Sequence, residues 1–258
     1  MIVTFLGTGT SCGVPTIGCQ CDVCQSTDPH DKRLRCAALV ETENTRLLID
    51  CGPDFRQQIM PQPFRKIDGI LITHSHYDHV GGMDDLRPYC QFGEINVFAD
   101  PIARKGMLEM LPYCFAENRY PGVPAIQLNE IHPHEPMVIG DFDIVPFQVM
   151  HGKLPILGYR ITDPGNRTLI YITDMKTMAA EEMEYLKNAE VLVVNALRFD
   201  KPHHSHQLVA EAVELAQQVQ AHHTYLIHSS HHIGKHEDVN KLLPKGIEMA
   251  YDGQVLEL

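Results

Sequence analysis

The stretch LITHSHYDHVGG at 71–82 constrains this chain more than any other part of it. It places His74, His76, Asp78 and His79 within six residues, directly after the mostly apolar run IDGILIT at 67–73. Side chains two apart on an extended chain point to one side, so His74 and His76 share a face as the strand ends. Asp78 and His79 follow where the chain must turn. A polar loop with scattered histidines is the plain alternative. Imidazoles and a carboxylate packed this closely at the end of a buried strand, however, need a cation to be tolerated. Adjacent Asp78 and His79 cannot easily join His74 and His76 around one ion without crowding, so two neighbouring ions fit better than one. Such ions want roughly four to six ligands each and need donors from elsewhere. Three candidates each close an apolar strand: His151 after FDIVPFQVM (142–150), Asp174 after TLIYIT (168–173), and His228 at the end of TYLIH (224–228). Any one alone reads as an ordinary strand-end residue. Together they read as a site assembled from separate loops at the C-terminal ends of strands.

The rest of the chain supplies the frame. IVTFL (2–6), CAALVET (36–42) and TRLLID (45–50) are β-rich, and further strands are expected at 156–162 and 189–195. Helices are expected at 101–111, at about 178–188, at 207–219 where apolar residues recur at helical spacing, and at 236–243. The proline-rich, polar segment 118–136 reads as a surface loop. Strands dominate early and alternate with helices later, which predicts an α/β protein with packed sheets. A chain of 258 residues, 44 % hydrophobic, has the core for one large domain or two small ones.

Composition narrows the function. The 33 acidic residues outnumber the 21 Lys and Arg, for a formal charge of −12. That disfavours extended nucleic-acid binding, which rests on neutralising phosphates, but not a small phosphorylated substrate held by local cations. No apolar run reaches the roughly 18 residues of a membrane helix, and the N-terminus reads as a strand running into a glycine turn rather than as a signal peptide. A cytoplasmic location is the expectation, with no membrane partner. There C-x-C-x2-C at Cys19, Cys21 and Cys24 favours metal over disulfide, although three thiolates leave a tetrahedral zinc one ligand short. Cys36, Cys51, Cys90 and Cys114 read as small buried hydrophobes.

With H-x-H-x-D-H at 74–79, His151, Asp174 and His228 in this order, and LLIDCG (47–52) ahead of them, the chain resembles the metallo-β-lactamase superfamily. The resemblance implies a single domain over 1–258 with a four-layer αββα sandwich fold. It also implies a division of ligands: His74, His76 and His151 on one metal, Asp78, His79 and His228 on the other, Asp174 bridging. GVPTIGCQCDVC (13–24) and HGKLPILGY (151–159) are most similar to the PhnP-type phosphodiesterases. In that family the three cysteines hold a structural zinc, and the fourth ligand corresponds to His231. His206, 22 residues before His228, corresponds to a candidate proton donor, with His203 and His204 competing for the role. His132, His134, His222, His223, His232 and His236 are left as surface residues.

The function implied is two-metal hydrolysis of a small, cyclic sugar phosphodiester, with Asp78 and His206 in the catalytic set. Asp50 is a candidate for orienting a ligand histidine. Two divalent ions (zinc or manganese) and one structural zinc are expected, the partner is a small phosphodiester, and a homodimer is admitted. The alternatives are a tRNase Z-like endoribonuclease, a lactonase or thioesterase of the same fold, and a metal-binding scaffold; no basic RNA-gripping insertion is visible.

Overall fold

Arg46–Ile49 and Thr168–Tyr171 are buried at every position. A strand buried on both faces must lie between two other layers. In the computed structural model, which describes every residue except Glu117, Arg119 and Tyr120, both strands sit mid-sheet. The first sheet contains β1 (Ile2–Gly7), β2 (Ala37–Glu41), β3 (Arg46–Ile49), β4 (Gly69–Leu71), β5 (Ile95–Ala99) and β6 (Ile126–Glu130). The second contains β7 (Met137–Ile139), β8 (Phe142–His151), β9 (Leu154–Thr162), β10 (Thr168–Tyr171), β11 (Val191–Asn195), β12 (His223–Ile227) and β13 (Ile247–Met249). The last strand, β14 (Val255–Glu257), returns to the first sheet beside β1. The helices are α1 (Phe55–Ile59), α2 (Tyr77–Val80), α3 (Pro101–Met110), α4 (Pro112–Phe115), α5 (Val209–Val219) and α6 (His236–Leu242).

The two sheets share one plan. Their orders are β14-β1-β2-β3-β4-β5-β6 and β13-β12-β11-β10-β9-β8-β7. The first is antiparallel as far as β3 and parallel from β3 to β6. The second is antiparallel from β7 to β10 and parallel from β10 to β13. Parallel neighbours end at one edge, and this brings the predicted donors together.

Alternation then sorts the side chains. Leu47, Ile49, Leu169 and Tyr171 face the neighbouring sheet, in a core shared with Phe5, Val40, Tyr159 and Val193. Leu48 points the other way, to Phe55, Val80 and Met107, and Ile170 to Val209, Ala212 and Val239. The layers are therefore α, β, β, α, as the resemblance implied.

Three expectations need correction. The segment 118–136 is not loop throughout: β6 lies in it and pairs in parallel with β5, from Ile95↔Ile126 to Ala99↔Glu130. It is an edge strand whose Gln127, Asn129 and Glu130 are at least partly exposed, so it lacks the apolar signature. Arg119 and Tyr120 of that segment lie outside the described residues. The helix expected at 178–188 is instead a 3-10 helix, Ala180–Leu186, with the Glu182 carboxylate drawn inward. There it accepts hydrogen bonds from His134 Nε2 at 2.9 Å and Gln148 N–H at 3.2 Å. His236, expected at the surface, is half-buried against Met249 O, 2.9 Å from its Nε2. The expected helices at 101–111 and 207–219 are α3 and α5. Asp100 caps α3 by accepting from Ala103 N–H at 2.7 Å, and Pro101 opens it. Among the described residues no helix is long and apolar enough to cross a membrane.

Candidate metal centre

Five strand ends build the site. β3 runs out into Asp50, β4 into His74, β8 into His151, β10 into Asp174 and β12 into His228. Three of these residues, Asp50, Asp174 and His228, have φ of 60°, 55° and 55°. That left-handed backbone costs a residue with a Cβ roughly 1–3 kcal/mol and persists only where the surroundings impose it. Its recurrence at three strand ends on one edge marks where the fold holds strain. After His74 the chain turns through His76 into α2, a single turn that carries Asp78 and His79 inward.

The donor atoms fall into overlapping sets, each within 4.8 Å of one another: His74, His76 and His151; Asp78, His79 and His228; His74, His79 and Asp174; His151, Asp174 and His206. The first two sets are the two trios the resemblance implied, and Asp174 stands between them. Its Oδ2 is 3.2 Å from His79 Nε2 and its Oδ1 is 3.0 Å from His228 Nε2. Asp78 Oδ2 lies 3.2 Å from His79 Nε2 and 3.7 Å from His228 Nε2. Yet His79 Nε2, both ring nitrogens of His228 and His206 Nδ1 are buried without a hydrogen-bond partner. Of these, His79 Nε2 and His228 Nε2 each lie beside an Asp174 oxygen and converge on the space around it. A divalent cation satisfies such a set. Nitrogen and carboxylate donors suit zinc, manganese or iron alike.

Hydrogen bonds behind the donors set their tautomers. His79 Nδ1 is 2.7 Å from Asp50 Oδ2, which leaves Nε2 for the centre. Asp50 also accepts from Thr73 N–H at 2.9 Å and from the Thr73 hydroxyl. His151 Nδ1 donates to Asp174 O at 2.7 Å and Ser205 O at 2.9 Å. Thr73 and the Ser205 carbonyl were not legible in advance, because a backbone acceptor leaves no trace in residue type.

The charges are coupled. Burial opposes ionisation of Asp174, but His228 and His79 outweigh it and hold the carboxyl well below the usual range. Asp78 is held low in the same way, by His228 and His79 against burial. Burial pushes His79 down, and Asp174 and Asp50 together raise it well above an ordinary imidazole. The carboxylates that draw a proton to His79 equally favour a metal cation in its place. Burial and the neighbouring His79 keep His74 neutral, the form that binds a metal.

His206 is buried beside the centre, its Nδ1 3.5 Å from Asp174 Oδ1 and its ring 4.7 Å from those of His228 and His151. Burial and His228 push its pKa down to about 3, so the ring is neutral at rest near pH 7. His203 stacks on His204 at 4.6 Å and meets His206 at 4.9 Å, one layer further out.

At the second predicted cluster the sulfurs of Cys19, Cys21 and Cys24 lie within 4.8 Å of one another. His231 does not belong to this set; its Nδ1 lies 3.0 Å from Thr16 Oγ1. Thr16 also donates its N–H to Cys24 Sγ at 3.4 Å, so one threonine links the histidine to the cysteines. Burial raises the Cys24 thiol to about 11, whereas the backbone N–H of Cys24 lowers Cys21.

Comparison with known proteins agrees with this geometry. A model of the β-lactamase superfamily domain matches residues 45–229. A crystal structure described as a new diphosphatase from the PhnP family superposes with a TM-score of 0.90 at 36 % identity, covering 99 % of this chain and 96 % of that one. An octanoyltransferase of Porphyromonas gingivalis is 44 % identical over 250 residues, 96 % of this chain but 50 % of its own length. A ribonuclease Z of Methanopyrus kandleri is 26 % identical over 169 residues, 64 % of this chain and 51 % of its own. The chain thus spans about half the length of the curated relatives it matches. From the matched domain, the strand-end donors and the PhnP-family superposition together, the chain belongs to the metallo-β-lactamase superfamily and stands close to its PhnP family.

Proposed function

We propose that the chain is a dinuclear metal-dependent hydrolase acting on small sugar phosphodiesters, cyclic ones included. The observation that carries this reading is the pair of donor trios with Asp174 between them. His74, His76 and His151 would hold one ion, Asp78, His79 and His228 the other, with Asp174 shared. Divalent ions bound there supply Lewis acidity, lowering the pKa of a water and polarising a phosphoryl oxygen. The chain's own residues do the rest. Asp50 and the carbonyls of Asp174 and Ser205 keep His79 and His151 oriented. His79 and His228 keep Asp78 ionised. The cleft beside His76 and His151, walled by Lys153, Leu154, His204 and Ser205, admits a small anionic ester. His206 is the candidate proton donor to the leaving alkoxide. Cys19, Cys21 and Cys24 would hold a structural zinc, with His231 closing on it as the fourth ligand.

A diphosphatase and a ribonuclease among the relatives support chemistry at phosphorus. The net charge of −12 argues against RNA as the substrate. A second reading, the lactonase or thioesterase chemistry of the same fold, is kept in view because an octanoyltransferase is 44 % identical over nearly this whole chain and half of its own length. One panel decides between them. The metal-reconstituted protein and its His206→Ala variant are assayed on a cyclic ribose phosphate, a nitrophenyl phosphodiester, precursor tRNA, a lactone and an octanoyl thioester. The cyclic phosphate should be turned over best. His206→Ala should lose roughly 10²–10⁴-fold on it and much less on the nitrophenyl ester, whose leaving group needs no proton. Preference for the thioester or tRNA would replace the reading, and equal losses on both phosphodiesters would remove His206 as donor.

A further inference from the structure

Between His151 and Leu154 the β8–β9 hairpin turns in two residues, Gly152 and Lys153. Gly152 has φ +62°, and Lys153 has no positive φ, the form of a two-residue turn with glycine first. The turn is pinned rather than loose. A Cβ on Gly152 would meet Ser205 Cβ at 3.4 Å, and His151 Nδ1 donates to Ser205 O at 2.9 Å, so the hairpin tip rests on the 204–205 backbone. The turn carries Lys153 into the wall of the cleft that holds His76 and His151. Among the described residues its ammonium has no hydrogen-bond or ion-pair partner, whereas Lys176 and Lys187 are paired with Glu211 and Glu184. The cleft wall contributes no carboxylate. Other cations among the described residues are unpaired too; what sets the exposed Lys153 apart is that it shares its cleft with His76 and His151 of the donor cluster.

A solvated lysine at a hairpin tip is the ordinary alternative. It does not explain why the tip is fastened to the 204–205 loop beside two donor histidines. Resting on the phosphodiesterase reading above, we propose that Lys153 is a catalytic residue whose ammonium binds a non-bridging phosphoryl oxygen of the substrate. Attack on a phosphodiester raises the charge on those oxygens, and a cation carried to the cleft wall by a pinned turn favours the more highly charged state. No bond to Lys153 forms or breaks; it holds its proton throughout. The group it recognises is the phosphoryl anion itself, so the sugar does not enter the argument.

The test uses the metal-loaded full chain and its Lys153→Met and Lys153→Arg variants, with bis(4-nitrophenyl) phosphate as substrate and inorganic phosphate as inhibitor and calorimetric ligand. Removing one donor from a developing oxyanion costs about 10²–10³-fold in enclosed sites, and a half-open cleft should give on the order of 10-fold or more. Lys153→Met should lose this mainly in kcat, bind phosphate more weakly, and keep the wild-type melting temperature and metal content. Lys153→Arg should recover most of both losses. Unchanged turnover and phosphate affinity in Lys153→Met would overturn the inference, and so would an Arg variant as impaired as the Met. A wild-type protein without phosphodiesterase activity would defeat the functional reading instead, and the calorimetric comparison would still decide whether Lys153 binds phosphate.

Discussion

Asp50 shows how much one side chain decides. It is fully buried, and burial raises its pKa despite the groups around it. Its two oxygens are divided between neighbours: Oδ1 accepts from Thr73 N–H at 2.9 Å, and Oδ2 lies 2.7 Å from His79 Nδ1 and 2.8 Å from the Thr73 hydroxyl. As a carboxylate it keeps the His79 proton on Nδ1 and turns the Nε2 lone pair toward Asp174. In Asp50→Asn the amide oxygen is claimed by the Thr73 N–H, so the amide nitrogen must face His79. Nδ1 then becomes the acceptor, and the ring proton moves to Nε2, the atom aimed at the centre. The expected result is a 10–100-fold loss of metal affinity, the usual cost of removing an outer partner of a ligand histidine. Competition against a chromogenic chelator measures it. An affinity equal to wild type would show that His79 does not depend on Asp50 for its tautomer.

At the scale of elements, the long connection from β1 to β2 is the least regular part of the first sheet, and it carries the cysteines. Polar groups fasten it to the other end of the chain. Arg33 is buried and donates to Ser230 O at 2.9 Å and Gly234 O at 2.8 Å. Asp252 accepts from Leu34 N–H at 2.6 Å and the Thr8 hydroxyl at 2.8 Å. Desolvation pushes the Asp252 carboxyl up to about 7, against the pull of these donors and of Arg33. A folded-state pKa above the unfolded one means that the native protein binds the extra proton. This contribution to stability is therefore full at low pH and is lost as pH rises from the ordinary carboxylate value toward 7. Asp252→Asn cannot titrate, so the stability difference between wild type and variant should shift against wild type between about pH 4 and 7 and level off above about 8. Urea unfolding across that range tests it, and parallel pH profiles would assign the titration elsewhere. None of this fastening was legible in the sequence, because Arg33, Asp252 and Thr8 sit in no motif and are brought together by chain closure. The donors were legible because metal ligation needs rare residue types at strand ends, where the period-2 pattern already locates the ends. β6 was missed for the converse reason: this edge strand packs Ile126 and Leu128 inward on one face and turns the other toward solvent, so Gln127 and Asn129 read as loop.

The whole molecule is two sheets with the same plan, joined by a core of apolar side chains that holds them face to face. At one edge the joint changes character. His74, His76, Asp78 and His79 follow a strand of the first sheet, and His151, Asp174 and His228 follow strands of the second. Without cations this edge holds buried carboxylates and partnerless ring nitrogens, which cost stability. Ions bound by donors from both sheets would cross-link the layers and relieve that cost together. A ligand that binds only the native state stabilises by about 2.7 kcal/mol at a hundredfold excess over its Kd. For a chain of this size that corresponds to a rise in Tm on the order of 5–10 °C. The chelated protein should therefore melt lower than the wild type and recover as zinc or manganese is titrated back. The cysteine set complicates the readout, since it could respond to zinc too. Asp174→Ala separates the two: removing the carboxylate between the trios should flatten the manganese response, because thiolates select softer ions, and leave a residual zinc response from Cys19, Cys21 and Cys24. An Asp174→Ala variant whose Tm still climbs with manganese as the wild type does would mean that the ion does not join the sheets at Asp174.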